Sequence, residues 1–360
     1  MKKNILVVDD SALMRRAICD IINTDEIFQA NDVCRDGLEA YEKLKTTRYD
    51  AIILDVNMPR MDGLELLKRL QQEHQHQTVI MVSTLTTKDA DVTIRALELG
   101  AADFVTKPTN IIEAKGESFR RQLLSILSAV VLRENAPRQR RNMWGENPTK
   151  VRVIGSPKTA VHHTVRGGNK LVALACSTGG PKALQQVIPY LPADIDAPVV
   201  LVQHMPPGFT KSMAERLDQI SKVSVKEAEE GDILQKGWVY IAPGGQHLEV
   251  ARTANGSHKI ALNTRPAIGG LRPCADVMYE SLTDSGFDEI VCVVMTGMGA
   301  DGTKGILSLR QKKPLHIISQ DAESCVVYGM PKAITDTGVV NDVVPLTEIA
   351  NIIIKNVGVR

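Results

Sequence analysis

The chain has 360 residues, 43% of them hydrophobic and 24% charged, with a formal net charge of +1; this is ordinary for a globular protein and long enough for two buried cores. Near-neutral charge and only 4% aromatic side chains exclude a chain that is basic throughout for nucleic acid, and a surface built around base stacking. No apolar run approaches the roughly 18 residues of a membrane span, and the amino terminus leads into an apolar run, Ile5 to Val8, too short for a signal peptide.

A cytoplasmic protein that is not integral to a membrane is therefore expected. In chain order, Ile5–Val8, Ala51–Leu54, Thr78–Val82 and Phe104–Val105 read as strands. Ser11–Ile22, Gly63–Gln72 and Lys88–Leu99 read as helices, the last closed by Gly100. Such alternation over residues 1–120 predicts a parallel, doubly wound α/β sheet. In that architecture ligands bind at the carboxyl ends of the strands. Asp9 and Asp10 follow the first strand, Asp55 closes the second, and Ser83 and Thr84 end the third. Three carboxylates on one edge repel one another unless a hard cation joins them, and Mg²⁺ suits oxygen ligands and phosphate. Lys107 follows the last strand and precedes Pro108; a cis bond there would aim its ammonium at the same edge. Acids, a cation site, a hydroxyl and a lysine around Asp55 suit phosphoryl transfer to a carboxylate. Singly, each aspartate also fits a helix cap.

Charge then changes sharply. Residues 1–120 carry 16 basic and 20 acidic side chains, residues 121–169 carry 9 and 2, and residues 170–360 carry 18 and 20. The middle piece opens with a helical pattern, Arg121 to Arg133, and then loses apolar periodicity in Pro/Gly-bearing, basic sequence. It reads as a helix followed by a flexible, solvated linker.

The last segment repeats the α/β style, with strands at Leu171–Ala175, Val199–Gln203, Val239–Ile241, Glu289–Met295 and His316–Ile318. The first runs into Cys176-Ser177-Thr178-Gly179-Gly180-Pro181 and a helical pattern over Lys182–Ile188. A serine on a tight strand-to-helix turn stands exposed at a sheet edge, near backbone N–H groups that stabilise an anion. Taken alone, that turn equally fits a helix cap or a phosphate loop. Two further strand ends tip the balance, because they deliver His204 and the run Thr296-Gly297-Met298-Gly299-Ala300-Asp301-Gly302. Serine, imidazole and carboxylate then converge as acyl transfer requires, with His204 as base and Asp301 holding its tautomer. Asp321 is a rival third member, Cys176 a rival nucleophile, and His247 a loop histidine that is solvated or at the edge. Six dispersed cysteines without C-x-x-C, and eight histidines without ligand spacing, argue against a zinc enzyme and for reduced, buried thiols.

Val7-Val8-Asp9-Asp10-Ser11, Leu54-Asp55-Val56-Asn57-Met58-Pro59 and Phe104-Val105-Thr106-Lys107-Pro108 resemble the receiver domain of two-component response regulators. The resemblance implies Asp55 as phospho-acceptor for a histidine autokinase, and Asp9, Asp10, Asp55 and the Asn57 carbonyl around Mg²⁺. It further implies Ser83 and Phe104, with Lys107, as the switch that reads the phosphate. Ser177-Thr-Gly-Gly, Gln203-His-Met-Pro-Pro-Gly-Phe-Thr, Tyr240-Ile-Ala-Pro-Gly, Thr296-Gly-Met-Gly-Ala-Asp-Gly and Ala322-Glu-Ser-Cys-Val-Val-Tyr-Gly-Met-Pro resemble the chemotaxis protein-glutamate methylesterases of CheB type.

Together they imply a receiver domain at 1–120, a helix and basic linker at 121–169, and a methylesterase domain at 170–360, two doubly wound parallel-sheet domains in all. The implied activity is phosphorylation-activated hydrolysis of glutamate γ-methyl esters on methyl-accepting chemoreceptors, with deamidation of glutamines in many members. By motif, Ser177, His204 and Asp301 form the triad, Thr178 and Met298 border the oxyanion hole, and the ester chemistry takes no cofactor. The family also implies that the unphosphorylated receiver blocks the Ser177 edge. Two departures stand out. Ala175-Cys176 occupies the place of Gly-Ala, so a strained turn and extra bulk beside the nucleophile are expected; Leu271 and Cys274 sit where many members carry His and Ser. A phosphorylation-controlled binding module with a degenerate triad, an esterase of small metabolites, and a DNA-binding regulator are the rival readings. The last is disfavoured by an output half with more acids than bases.

Overall fold

The computed structural model describes residues 2–132 and 168–360. Most of the basic linker expected from sequence lies outside the described residues. The first half runs β1 (Lys3–Val8), α1 (Ala12–Asn23), β2 (Phe28–Cys34), α2 (Gly37–Leu44), β3 (Ala51–Asp55) and α3 (Gly63–Gln72). It continues with β4 (Val79–Ser83), α4 (Thr87–Glu98), β5 (Asp103–Thr106), α5 (Ile111–Ala114) and α6 (Glu117–Val131). The sheet is parallel throughout, in the order β2-β1-β3-β4-β5. Its inner strands β3 and β4 are buried along their whole length, as two covered faces require. Helix starts are set by side-chain caps: Ser11 accepts from Met14 N, Asp36 from Glu39 N, and Asp62 with Glu65 forms a capping box.

The second half begins with β6 (Lys170–Cys176), α7 (Gly180–Leu184), β7 (Val199–Gln203), α8 (Phe209–Ile220), β8 (Ser224–Glu227) and β9 (Trp238–Ile241). The pair β10 (His247–Arg252) and β11 (His258–Asn263) is followed by α9 (Ala275–Ser281), β12 (Glu289–Val294) and α10 (Thr303–Arg310). β13 (Leu315–Gln320), α11 (Met330–Thr335), β14 (Asp342–Val344) and α12 (Leu346–Val357) complete it. Seven parallel strands lie in the order β14-β13-β12-β6-β7-β9-β8.

Both sheets are thus the parallel, doubly wound kind expected. The antiparallel hairpin β10–β11 is an addition the sequence reading lacked; it packs Leu248, Val250 and Ile260 into the apolar cluster of α9 and the sheet. Also unread were β2, an edge strand with exposed and half-buried polar residues, and the two-turn α2. The helix placed at the head of the linker packs Phe119, Leu123 and Leu127 against Ile5, Val7 and Val105, so the cover of the first sheet extends past residue 120. Among the described residues no helix is long and apolar enough to cross a membrane.

Chain order places both sites. In each sheet the first strand lies inside, and the chain moves to opposite sides of it: β2 and β3 flank β1, and β7 and β12 flank β6. At such a switch point the loops leaving neighbouring strands part and leave a crevice.

Candidate functional site

The first crevice holds the aspartates. One carboxylate oxygen each from Asp9, Asp10 and Asp55 lies within 4.8 Å of the others. Lys107 Nζ is 2.7 Å from Asp55 Oδ2 and 2.9 Å from Asp9 Oδ2. Burial and the neighbouring Asp9 charge raise the Asp55 carboxyl to about 6 against the pull of Lys107, and burial likewise raises Asp9. Asp9 Oδ2 is buried, with the Lys107 ammonium as its charge partner. Three carboxylates crowded about one lysine, two of them desolvated, fit a hard divalent cation. The Lys107–Pro108 bond is not cis; the strand end alone aims the ammonium, correcting the cis route considered from sequence.

Asn57 donates its side-chain amide to Asp89 Oδ1 at 2.7 Å. Ser83 is buried and accepts from the Thr93 hydroxyl at 2.6 Å, while Thr84 turns to Asp89. Asp89, at the start of α4, is a junction that no motif signalled.

The second crevice joins three strand ends. Ser177 follows β6, and its N–H donates to Thr296 O at 3.0 Å. Gly179 stands at φ +75°, and a Cβ there would meet Val326 Cβ at 2.4 Å, so this turn admits only glycine. Gly297 closes on Ser177: a Cβ would lie 2.9 Å from Ser177 Cβ and 2.4 Å from Met330 Sδ. The Thr296 hydroxyl donates to Thr178 O at 2.9 Å and accepts from Val327 N at 3.0 Å, lacing the loops after β6, β12 and β13.

His204, at the end of β7, places Nε2 2.8 Å from Asp301 Oδ2. Its other ring nitrogen, Nδ1, is not the one that Asp301 engages. Asp301 also accepts from Ala275 N at 2.6 Å, and from Asp276 N and Gly302 N at 3.0 Å each. Burial raises this carboxyl, but His204 and those N–H groups outweigh it and bring it down to about 2. The acid is therefore a permanent anion, suited to holding an imidazolium. Gln203, which the sequence reading left without a role, donates to Ser177 O at 3.0 Å and His204 O at 3.1 Å. It ties the turn after β6 to the end of β7.

Rivals fall away on geometry. Asp321 accepts from Ser324 N and Oγ, at 2.9 and 2.6 Å, and does not pair with His204. His247 starts β10 fully buried with Nε2 toward Pro266 O; it is neither solvated nor at the triad. Cys176 is fully buried, its thiol pushed well up by burial, and it donates to Gln203 Oε1 at 3.1 Å. The strain expected at Ala175 is absent, because Ala175 lies in regular strand paired with Val202 and Val294.

The two halves meet through the edge of the first sheet. Phe104 stacks on Phe209, the first residue of α8, with ring centroids 4.5 Å apart. Glu98 at the end of α4 pairs with Arg216 of α8 and accepts from Gln185 at 3.4 Å. Asp103 is buried against Thr178, whose hydroxyl donates to it, and Ser125 of α6 donates to Met298 Sδ at 3.2 Å. Thr178 and Met298, the two residues tied by motif to the oxyanion hole, are thus both touched from the first half. No local pattern marks Asp103 or Phe209 for this, since their partners, Thr178 and Phe104, lie 75 and 105 residues away in sequence.

The chain matches the response regulator receiver domain over residues 5–115 and the CheB methylesterase family over residues 172–353. A protein-glutamate methylesterase/protein-glutamine glutaminase of Syntrophomonas wolfei is 43% identical over 351 residues, 97% of each chain. Its counterpart from Pyrococcus horikoshii is 42% identical over 356 residues, 99% of this chain and 94% of that one. The crystal structure of the Thermotoga maritima CheB methylesterase catalytic domain, 42% identical, superposes with a TM-score of 0.50, covering 52% of this chain and 98% of that one.

Proposed function

We propose how the geometry works in a chain that belongs to the CheB methylesterase family and carries a response regulator receiver domain ahead of the esterase. It hydrolyses methyl esters of protein glutamates and amides of protein glutamines, the activities in the names of its relatives. Its substrates are chemotaxis receptors and its phosphodonor a histidine kinase. The carrying observation is the convergence of three strand ends at one switch point, with His204 2.8 Å from Asp301 and Gly297 pressed on Ser177.

Ser177 Oγ attacks the γ-carbonyl carbon while His204 takes its proton, and the carbonyl oxygen becomes an oxyanion. N–H groups of Thr178 and Met298 receive that charge; the Ser177 N–H is already given to Thr296. His204 returns the proton to the leaving oxygen, methanol departs, and an acyl-serine remains. Water, deprotonated by His204, attacks the acyl carbon and releases glutamate and Ser177. With glutamine the leaving group is ammonia. Asp301, charged at any physiological pH, stabilises the imidazolium in each step.

The receiver half governs access. Asp103, Phe104, Glu98 and Ser125 touch Thr178, Phe209, Arg216 and Met298, and in that place they obstruct a protein-borne glutamate. Asp55 accepts the phosphoryl group; Asp9, Asp10, Asp55 and the Asn57 carbonyl would hold a Mg²⁺ there, and it would neutralise the charge of carboxylate and phosphate. Lys107 and Ser83 face the new phosphate oxygens. Withdrawal of Phe104 from Phe209 then weakens the docked state, and each 1.4 kcal/mol of difference shifts the populations about tenfold.

Methanol release from methylated receptor membranes tests this with wild type, Ser177→Ala and Asp55→Asn, with and without a small phosphodonor. Release is expected to vanish in Ser177→Ala, and to rise with phosphodonor only when Asp55 is intact. Normal receptor binding with no release from phosphorylated wild type would support a binding module instead.

A further inference from the structure

Asp301 is held by five donors, and they divide unevenly between its oxygens. Oδ2 takes His204 Nε2 at 2.8 Å and Ala275 N at 2.6 Å. Oδ1 takes Asp276 N and Gly302 N at 3.0 Å each, and the Cys274 thiol at 3.1 Å. Apart from His204, Cys274 is the only side chain among them; the other three are backbone. We propose that Cys274 is a positioning residue for hydrolysis, its S–H holding Oδ1 so that Oδ2 stays aimed at His204 and His204 at Ser177. This rests on the triad described above.

Cys274 is 1% exposed and sits just before α9. Burial and the adjacent Asp301 charge push its thiol up to about 12, so it is a donor at working pH and not a nucleophile. The close cluster of Cys274, Asp276 and Asp301 is not a cation site by this geometry. Both Asp301 oxygens already carry N–H donors, and Asp276 Oδ1 accepts from Gly305 N at 2.8 Å. The thiol is a third donor on Oδ1 beside two backbone N–H groups; it restricts the tilt of the carboxylate plane and draws charge from the oxygen pair. Partners of this kind fix both the orientation and the basicity of the group they support. The other titratable groups facing Asp301 are His204 after β7, and Asp276 and Tyr279 on α9.

The test uses the full chain with Mg²⁺ and a small phosphodonor, reading methanol release from methylated receptor membranes between about pH 5.5 and 9. Cys274→Ala is expected to lower kcat about tenfold with KM unchanged. It should also move the acid limb of the rate profile to higher pH, since Asp301 then holds the imidazolium more tightly. Cys274→Ser restores a donor and should return kcat to within about threefold of wild type, with the acid limb at or below the wild-type position. Should Cys274→Ala not fold, the comparison of Cys274→Ser with wild type decides: an acid limb at higher pH overturns the proposal. Equal kcat and profile for Cys274→Ala and wild type would overturn it, as would a Cys274→Ser as slow as Cys274→Ala, which would make the residue packing only. Ser177→Ala, run beside them, separates the two levels: if it stays active, the triad falls and this role with it; if it is dead, the Cys274 results stand alone.

Discussion

Asp301 is a charge almost without water, its side chain 6% exposed, and it survives there because every lone-pair direction meets a donor. Desolvation pushes its carboxyl up, and His204 with the N–H groups of Ala275 and Asp276 reverse the sign, to about 2. Asp301→Asn keeps the shape but presents the wrong partner to the imidazole, and kcat for methanol release is expected to fall roughly 10³- to 10⁴-fold with little change in KM. The same depression has a stability consequence. An acid lowered by folding stabilises the fold above its unfolded value near 4 and loses that contribution as pH falls toward 2. Acid unfolding followed by circular dichroism should therefore show a weaker pH dependence between about 4 and 2 in Asp301→Asn than in wild type.

The elements around the site are short and tightly laced. The turn from β6 to α7 works because Gly179 takes φ +75° beside Val326, and Gly297 lets the loop after β12 lie on Ser177. Motif glycines were visible in sequence, but their reason is a close approach between segments over a hundred residues apart. Helices α4 and α8 meet across the two halves through Glu98 and Arg216, side chains 21% and 38% exposed. A partly exposed pair contributes modestly to docking. Glu98→Arg sets like charges together and should raise methanol release by the unphosphorylated protein about two- to fivefold. Arg216→Glu in the same chain should restore the low rate, and the double-mutant cycle measures the coupling.

At the scale of the molecule, one apolar cluster runs from Ile94, Leu97 and Phe104 of the first half to Leu184, Phe209 and Met213 of the second. Asp103 sits at this junction, burial raising its carboxyl to about 6 against the hydrogen bonds from Phe104 N and Thr178. A raised acid binds its proton more readily docked than free, so docking is favoured below about pH 4, and that advantage is lost as pH rises through about 6. Asp103→Asn mimics the protonated acid. It should hold the halves together more firmly at pH 7.5, lowering unphosphorylated methanol release several-fold, with the difference from wild type narrowing toward pH 5.

The parallel sheets were legible because their inner strands are unbroken apolar runs, and the site because parallel strands must deliver their terminal residues to one edge. Ser177, His204, Asp301, Asp55 and Lys107 could all be named on that rule, together with the motifs. Strand β2 and the hairpin β10–β11 were not legible; their polar faces look outward and their pairing is set by partners distant in sequence. Asp301 was named from sequence over its rival Asp321, and the packing of α9 against its loop supplies the N–H groups that hold it toward His204. The role of Gln203, the contact of Cys274 with Asp301, and the seating of Asp103 on Thr178 were likewise decided by tertiary structure. Periodicity and local motifs record which residues a chain commits to a strand end; which of them touch depends on how sheets, helices and halves close upon one another.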